Sequence, residues 1–252
     1  MARQYRLLCL MIFFLIGTFH HSFAQNTSYE FWPETDLWYR LSPSTRLSAF
    51  IPITKYNESK NRDLNIYLQA DYAWGKTKHL LKRRMMDENR TQVMKAWLVR
   101  GGFMEGWSLG ENPSGYTEDM LFGEIHRRIP INGGFLLSHR IRTDFRWVGE
   151  DPKYSYRFRY RAMLEKEFTG EKSSIVPYVN AEPYWDSRYR EFSRIRLIGG
   201  ATASWGPRFA FEGNLTYQYD TNYDTPNLYA LNFILHVFFE TKRSNEKSQL
   251  IN

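Results

Sequence analysis

The chain is predicted to fold as an all-β, antiparallel transmembrane β-barrel of about twelve strands, with ten as the alternative, after a cleaved signal peptide. Three observations carry that expectation: an export leader at the amino terminus, period-two alternation of apolar and polar residues through most of the 252 residues, and connections that alternate between tight turns and longer loops.

The leader comes first. Arg3 and Arg6 precede an apolar run from Leu7 to Phe19, and Ser22-Phe23-Ala24 supplies small residues three and one before the predicted cleavage point. Residues 1–24 are therefore read as the signal peptide and residues 25–33 as a lead into the barrel, with Gln25 the first mature residue. Cys9, the only cysteine, lies inside the leader, so neither a disulfide framework nor a thiolate metal site is available to the exported chain. No later segment is apolar and long enough to cross a bilayer as a helix, so any membrane passage must use a closed barrel, which pairs its own backbone groups.

The barrel is expected over residues 34–240. Asp36 to Leu41 and Arg46 to Ile53 open it, followed by Leu64 to Trp74, Lys95 to Phe103 and Glu118 to Pro130. The alternation is clearest from Phe135 to Trp147. There Phe135, Leu137, Ile141, Phe145 and Trp147 share one face, and Ser138, Arg140, Arg142, Asp144 and Arg146 the other. Tyr154 to Phe168 repeats it, its aromatic positions alternating with Ser155, Arg157, Arg159, Arg161, Glu165 and Glu167. Ile175 to Trp185, Phe192 to Ala203, Arg208 to Tyr219 and Leu228 to Phe239 complete the set. Segments of roughly ten residues suit tilted membrane strands. These are eleven segments. Bacterial single-chain barrels normally close with an even number, so a twelfth strand is expected near the amino terminus.

Tight connections at Pro43-Ser44, Asn132-Gly133-Gly134, Gly170-Glu171-Lys172 and Gly206-Pro207 alternate with longer ones around Tyr56, Asp151, Arg188 and Asp224. The basic stretch from Gly75 to Gln92 is long where a tight turn is due, and Thr241 to Asn252 forms a polar tail. Aromatics at 17% beside a mean hydropathy of −0.56 fit a barrel whose apolar side chains are confined to one face. The net charge of +7 would suit a nucleic-acid partner in another compartment, but an exported chain does not meet one. A soluble β-barrel is the rival, and it would turn the apolar stripes inward and the arginines to water.

Certain segments together resemble a family of uncharacterised outer-membrane barrels, a domain of unknown function common in Bacteroidota. They are Glu34-Thr35-Asp36-Leu37-Trp38-Tyr39-Arg40, His139-Arg140-Ile141-Arg142 with Arg146-Trp147, Tyr156-Arg157-Phe158-Arg159-Tyr160-Arg161, Val176-Pro177-Tyr178-Val179-Asn180-Ala181-Glu182 with Arg194-Ile195-Arg196, and the terminal aromatic strand. The resemblance implies a barrel and transfers no catalytic residue. The tail beyond Phe239 departs from barrels that end on an aromatic residue.

With the apolar faces turned outward, the inward set is Arg100, Glu124, Arg140, Arg142, Asp144, Arg146, Arg157, Arg159, Arg161, Glu165, Glu182, Arg194, Arg196 and Glu212, together with Glu167 and Arg208. Arginine is suited to forked contacts with carboxylates, so these residues either brace neighbouring strands as ion pairs or, where arginine is in surplus, attract an anion. Tyr67, Tyr178 and Tyr184 are also expected inward. Among the histidines, His126 and His236 fall on the inward parity and His139 on the outward one. Ser138 and His139 point to opposite faces and cannot act as nucleophile and base, while His126 with Ser138 or Ser193 keeps a lipid-hydrolase reading open. The sequence has neither a phosphate-binding glycine loop nor a His-Glu-x-x-His motif, and no metal, cofactor or catalytic residue is assigned. The expected partners are outer-membrane lipid and lipopolysaccharide, the barrel-assembly machinery, and a small anionic solute. A third reading gives the work to the loops, including Gly106 to Tyr116.

Overall fold

The computed structural model describes residues 27–55, 61–76, 95–110, 117–149, 151–169, 173–205 and 208–240. The leader, the tail, most of the basic stretch from Gly75 to Gln92, and the turn residues Gly170, Glu171, Lys172, Gly206 and Pro207 lie outside the described residues.

The fold is all-β. Its strands are β1 (Thr27–Arg40), β2 (Thr45–Thr54), β3 (Arg62–Lys76), β4 (Lys95–Leu109), β5 (Thr117–Ile131), β6 (Phe135–Val148), β7 (Lys153–Lys166), β8 (Phe168–Thr169), β9 (Ser173–Asp186), β10 (Glu191–Trp205), β11 (Phe209–Asp220) and β12 (Asn227–Glu240). Twelve strands are assigned, and eleven of them close the ring; the two-residue β8 extends β7 past Glu167 along the same neighbour, β9. The eleven ring strands match the eleven segments read from the alternation one for one. The additional strand expected near the amino terminus is absent from the described residues. Instead β1 itself opens at Thr27, so most of the expected lead belongs to the first strand.

An odd ring has a geometric consequence. When successive strands reverse direction, the first and the eleventh run the same way, so closure must be parallel. β1 and β12 accordingly pair in parallel from Thr27↔Asn227 to Arg40↔Glu240, while every other neighbouring pair is antiparallel. The expectation of a purely antiparallel barrel is corrected at this one seam, because parity of strand number is a habit of such barrels and not a requirement of closure.

Local chemistry explains the hairpins. The β5–β6 turn places Gly133 and Gly134 at φ of 81° and 79°, a region costly for any residue with a Cβ. The contrast between turn ends is weaker than expected at two places, since only four residues separate β6 from β7 and β9 from β10.

Burial is inverted relative to a water-soluble core. Outward positions are apolar and open: Leu68, Ile141, Val179 and Leu231 are 56%, 56%, 59% and 55% exposed. Inward positions are charged and covered, with Asp144, Glu182 and Arg142 at 0%, 2% and 6%. Apolar clusters inside are small: Trp32 with Leu228 and Ala230, and Met104 with Met120, Phe122 and Tyr67. Aromatic rings collect on the outer face near both rims. At one end Tyr29 stacks on Tyr229, and Tyr217 with Tyr229, Trp147 with Tyr154 and Tyr156 with Trp185 pack as tilted pairs. At the other end Trp74 stacks on Trp97, Arg127 lies over Trp97, and Lys166 reaches Phe135 and Phe168.

Candidate functional site: a charged barrel interior

Because side chains alternate faces, each cross-strand pair delivers two inward groups side by side. Following the register around the wall, the paired residues read Arg46, Asp71, Arg100, Glu124, Arg142, Arg159, Tyr184, Arg194 and Asp220. Signs alternate through the first five, and the line ends on another Arg–Asp pair. The bonds follow the register. Asp71 accepts from Arg46 at 2.6 Å and from Arg100 at 2.6 and 3.1 Å, and Arg142 Nη1 donates to Glu124 at 2.7 Å.

Three carboxylates act as hubs. Glu124 faces Arg100 and Arg140 at 3.7 Å each as well as Arg142, and its Oε2 lies 2.7 Å from His126 Nε2. Asp144 receives Arg142 Nε and Arg157 Nε, the latter at 2.8 Å, and has Arg159 at 3.7 Å. Glu182 receives Arg140 Nη2 and, at 2.7 Å, Arg159 Nε. Nearer one rim, Arg146 binds Glu118 and reaches Asp186 at 3.3 Å, and Arg194 binds Asp220 at 2.6 Å. Glu212 accepts from the Tyr178 hydroxyl and from Thr202 at 3.0 Å.

Two inward arginines have no carboxylate partner among the described residues. Arg196 donates to the neutral amide oxygen of Gln218 at 2.6 Å and lies 5.5 Å from the ring centres of Trp32 and Tyr184. Arg161 makes no hydrogen bond or ion pair; its charged neighbours are Arg140, Arg159, Glu182 and Glu124. Glu182 thus has Arg140 and Arg159 bound to it, Arg161 nearby, and Arg196 opposite it in the β9–β10 register. Glu124 and Asp144 lie 3.7 Å from Arg140 and Arg159, but neither forms an ion pair with Arg161 or Arg196, which leaves local positive charge, concentrated further around Tyr184. Its ring has Arg157, Arg159, Arg194 and Arg196 within 4.6–5.5 Å of its centre. These groups border a cavity of about 500 Å³ in the barrel interior.

The fourteen residues singled out from the sequence all lie on inward positions. Thirteen interlock with acids, bases or amides of the wall, or are buried within it, as Glu165 is at 2% exposure. Arg142 and Arg159 are held between carboxylates, so the arginines with unspent charge are Arg161 and Arg196. Arg208 is corrected, being exposed at the turn before β11, while Glu167 is half-buried at the break between β7 and β8. Arg46, Asp71, Glu118, Asp186 and Asp220 went unselected although each falls on the inward parity of its strand. Counting them, with Glu34 and Asp36 of β1, sets ten arginines against eleven carboxylates, so the overall arginine surplus inferred from the sequence disappears and any positive bias is local.

His126 is engaged by Glu124, and no serine hydroxyl is hydrogen-bonded to it among the described residues. His236 is held by Asp36 at 3.1 Å and lies 3.4 Å from Glu212. A hydrolase reading therefore lacks its nucleophile–base contact. Outward His139 lies 2.5 Å from the Tyr160 hydroxyl. No group of side chains with metal-binding spacing occurs among the described residues.

No curated protein and no solved structure matches the chain. One family model does, over residues 90–229, more than half of the length and spanning β4 to the start of β12. The chain is a member of the family described as a protein of unknown function, DUF2490.

Proposed function

We propose that this protein is an outer-membrane β-barrel of a Gram-negative cell that passes small polar solutes through its lumen, with a bias toward anions. The observation that carries the reading is the inverted polarity of a closed ring: apolar side chains cover the outside and an ion-paired charge lattice fills the inside. Such a surface is stable in lipid and costly in water, whereas a soluble barrel would distribute its side chains the other way. The aromatic rows near both rims suit the two interfaces of a bilayer, where rings with one polar edge are favoured. The leader read from residues 1–24 supports export, with the barrel-assembly machinery and lipopolysaccharide as partners.

Within the lumen the paired arginines brace the wall. Arg161 and Arg196 carry the anion bias, because a guanidinium without a carboxylate still exerts its field on a passing ion.

The experiment is single-channel conductance and reversal potential of the reconstituted protein in planar bilayers. Stable steps with chloride favoured over potassium are expected, and the joint replacement Arg161→Gln with Arg196→Gln brings the reversal potential toward zero. A folded barrel that stays electrically silent overturns the pore reading and moves the function to the loops.

A further inference from the structure

The cavity has a second wall of opposite character. Glu34 and Asp36 on β1, with Glu212 on β11, border the same space as Arg161 and Arg196 and are each other's close neighbours. In the ring β1 stands five strands from β6 in one direction and five from β7 in the other, so it faces the strands that carry Arg140, Arg142, Arg159 and Arg161.

This acidic wall is under-compensated. His236 sits between Asp36 and Glu212 and can neutralise at most one of the three carboxylates. Arg100 interacts with Asp36 through space, but its hydrogen bonds go to Asp71. Glu34 has no cationic partner among the described residues; its carboxyl group is hydrogen-bonded to that of Asp36, so the two acids are held together with His236 beside them. Asp36 is 3% exposed, and no donor reaches its Oδ1. A buried carboxylate oxygen without a donor is costly, and a group that brings one relieves both the missing bond and the mutual repulsion. The lumen thus pairs an unmatched guanidinium on one side with an unmatched carboxylate on the other.

We infer that the preferred solutes are zwitterions of amino-acid size, with the carboxylate meeting Arg161 and Arg196 and the ammonium meeting Glu34 and Asp36. This rests on the pore reading and narrows it. A simple anion is drawn to the first wall and repelled by the second; a neutral polyol gains from neither; a zwitterion aligned across the lumen gains from both.

The test compares entry of alanine, lactate and erythritol, solutes of similar size, into liposomes carrying the protein, each rate corrected for protein-free liposomes. Alanine is expected to enter several-fold faster than either of the others. In Glu34→Gln the advantage over erythritol shrinks while lactate entry rises, since the repelling wall is weakened. In Arg161→Gln alanine and lactate both slow. Equal rates for alanine and erythritol in the unaltered protein overturn the inference without needing a variant to fold, and so does an alanine advantage that survives Glu34→Gln. Entry of erythritol and lactate without preference for alanine leaves the pore standing and removes the zwitterion. No entry of any solute removes the pore itself, and this inference with it.

Discussion

Asp144 shows what a single inward residue does. It is fully buried, touches Arg142 and Arg157 directly, and has Arg159 at 3.7 Å. Replacing it by Asn removes the charge that three guanidiniums share and keeps the shape, so the loss is electrostatic. Breaking a buried pair from one side typically costs about 3–5 kcal/mol, because the remaining charge stays buried without compensation. Asp144→Asn should therefore lower the unfolding free energy by that order in urea titration of the reconstituted barrel. Arg161→Gln breaks no ion pair and should change stability by less than about 1 kcal/mol, in the range of substitutions that disrupt no specific contact. If the two variants unfold alike, the bracing role assigned to the hubs is wrong. Parity in the sequence could show that Arg142, Arg159 and Arg161 all point inward, since it needs only the neighbours along one strand. It could not show that the first two are held and the third is not, since that depends on register with β5, β6 and β9.

At the scale of the strand, alternation was enough to locate all eleven ring strands, because an apolar stripe on one side and a charged one on the other permits only one period. What it could not give was the count at closure or the parallel seam, which are properties of the ring. Small residues mark where neighbouring elements come closest. Gly102, an inward position of β4, has no room for a side chain: a Cβ there would lie 2.6 Å from the backbone oxygen of Leu68 and 2.6 Å from the Phe122 ring. Gly123 on β5 faces outward, with nothing within 4 Å of the same atom. Gly102→Ala must push β3 and β4 apart or displace Phe122, and should destabilise by about 1–3 kcal/mol, the usual cost of overpacking. Gly123→Ala should be neutral or slightly stabilising, since Ala also reduces the freedom of the unfolded chain. Matched urea titrations of the pair separate close packing from a general effect of adding a methyl group, and equal shifts would mean that the tight approach at Gly102 relaxes freely.

For the whole molecule the question is which solvent surrounds the ring. Ile141 and Leu231 are outward, mid-strand and more than half exposed, and no inward contact depends on their identity. If the outer face meets lipid, Ile141→Arg and Leu231→Arg each place a charge near the bilayer midplane, where arginine costs about 2–4 kcal/mol on a barrel surface. The same change near a rim, such as Phe209→Arg beside the β10–β11 turn, should cost no more than about 1 kcal/mol, because the charge reaches the interface. A depth-dependent penalty of this kind arises only from a bilayer. Were the barrel water-soluble, arginine in place of an exposed Ile or Leu would leave stability nearly unchanged at every depth and would improve solubility. Folding free energies of the three variants in lipid vesicles, followed by tryptophan fluorescence, therefore decide the environment independently of any transport assay. A flat profile across the three positions would remove the membrane, and with it the lumen as a route between compartments, whatever the charge lattice inside the barrel does.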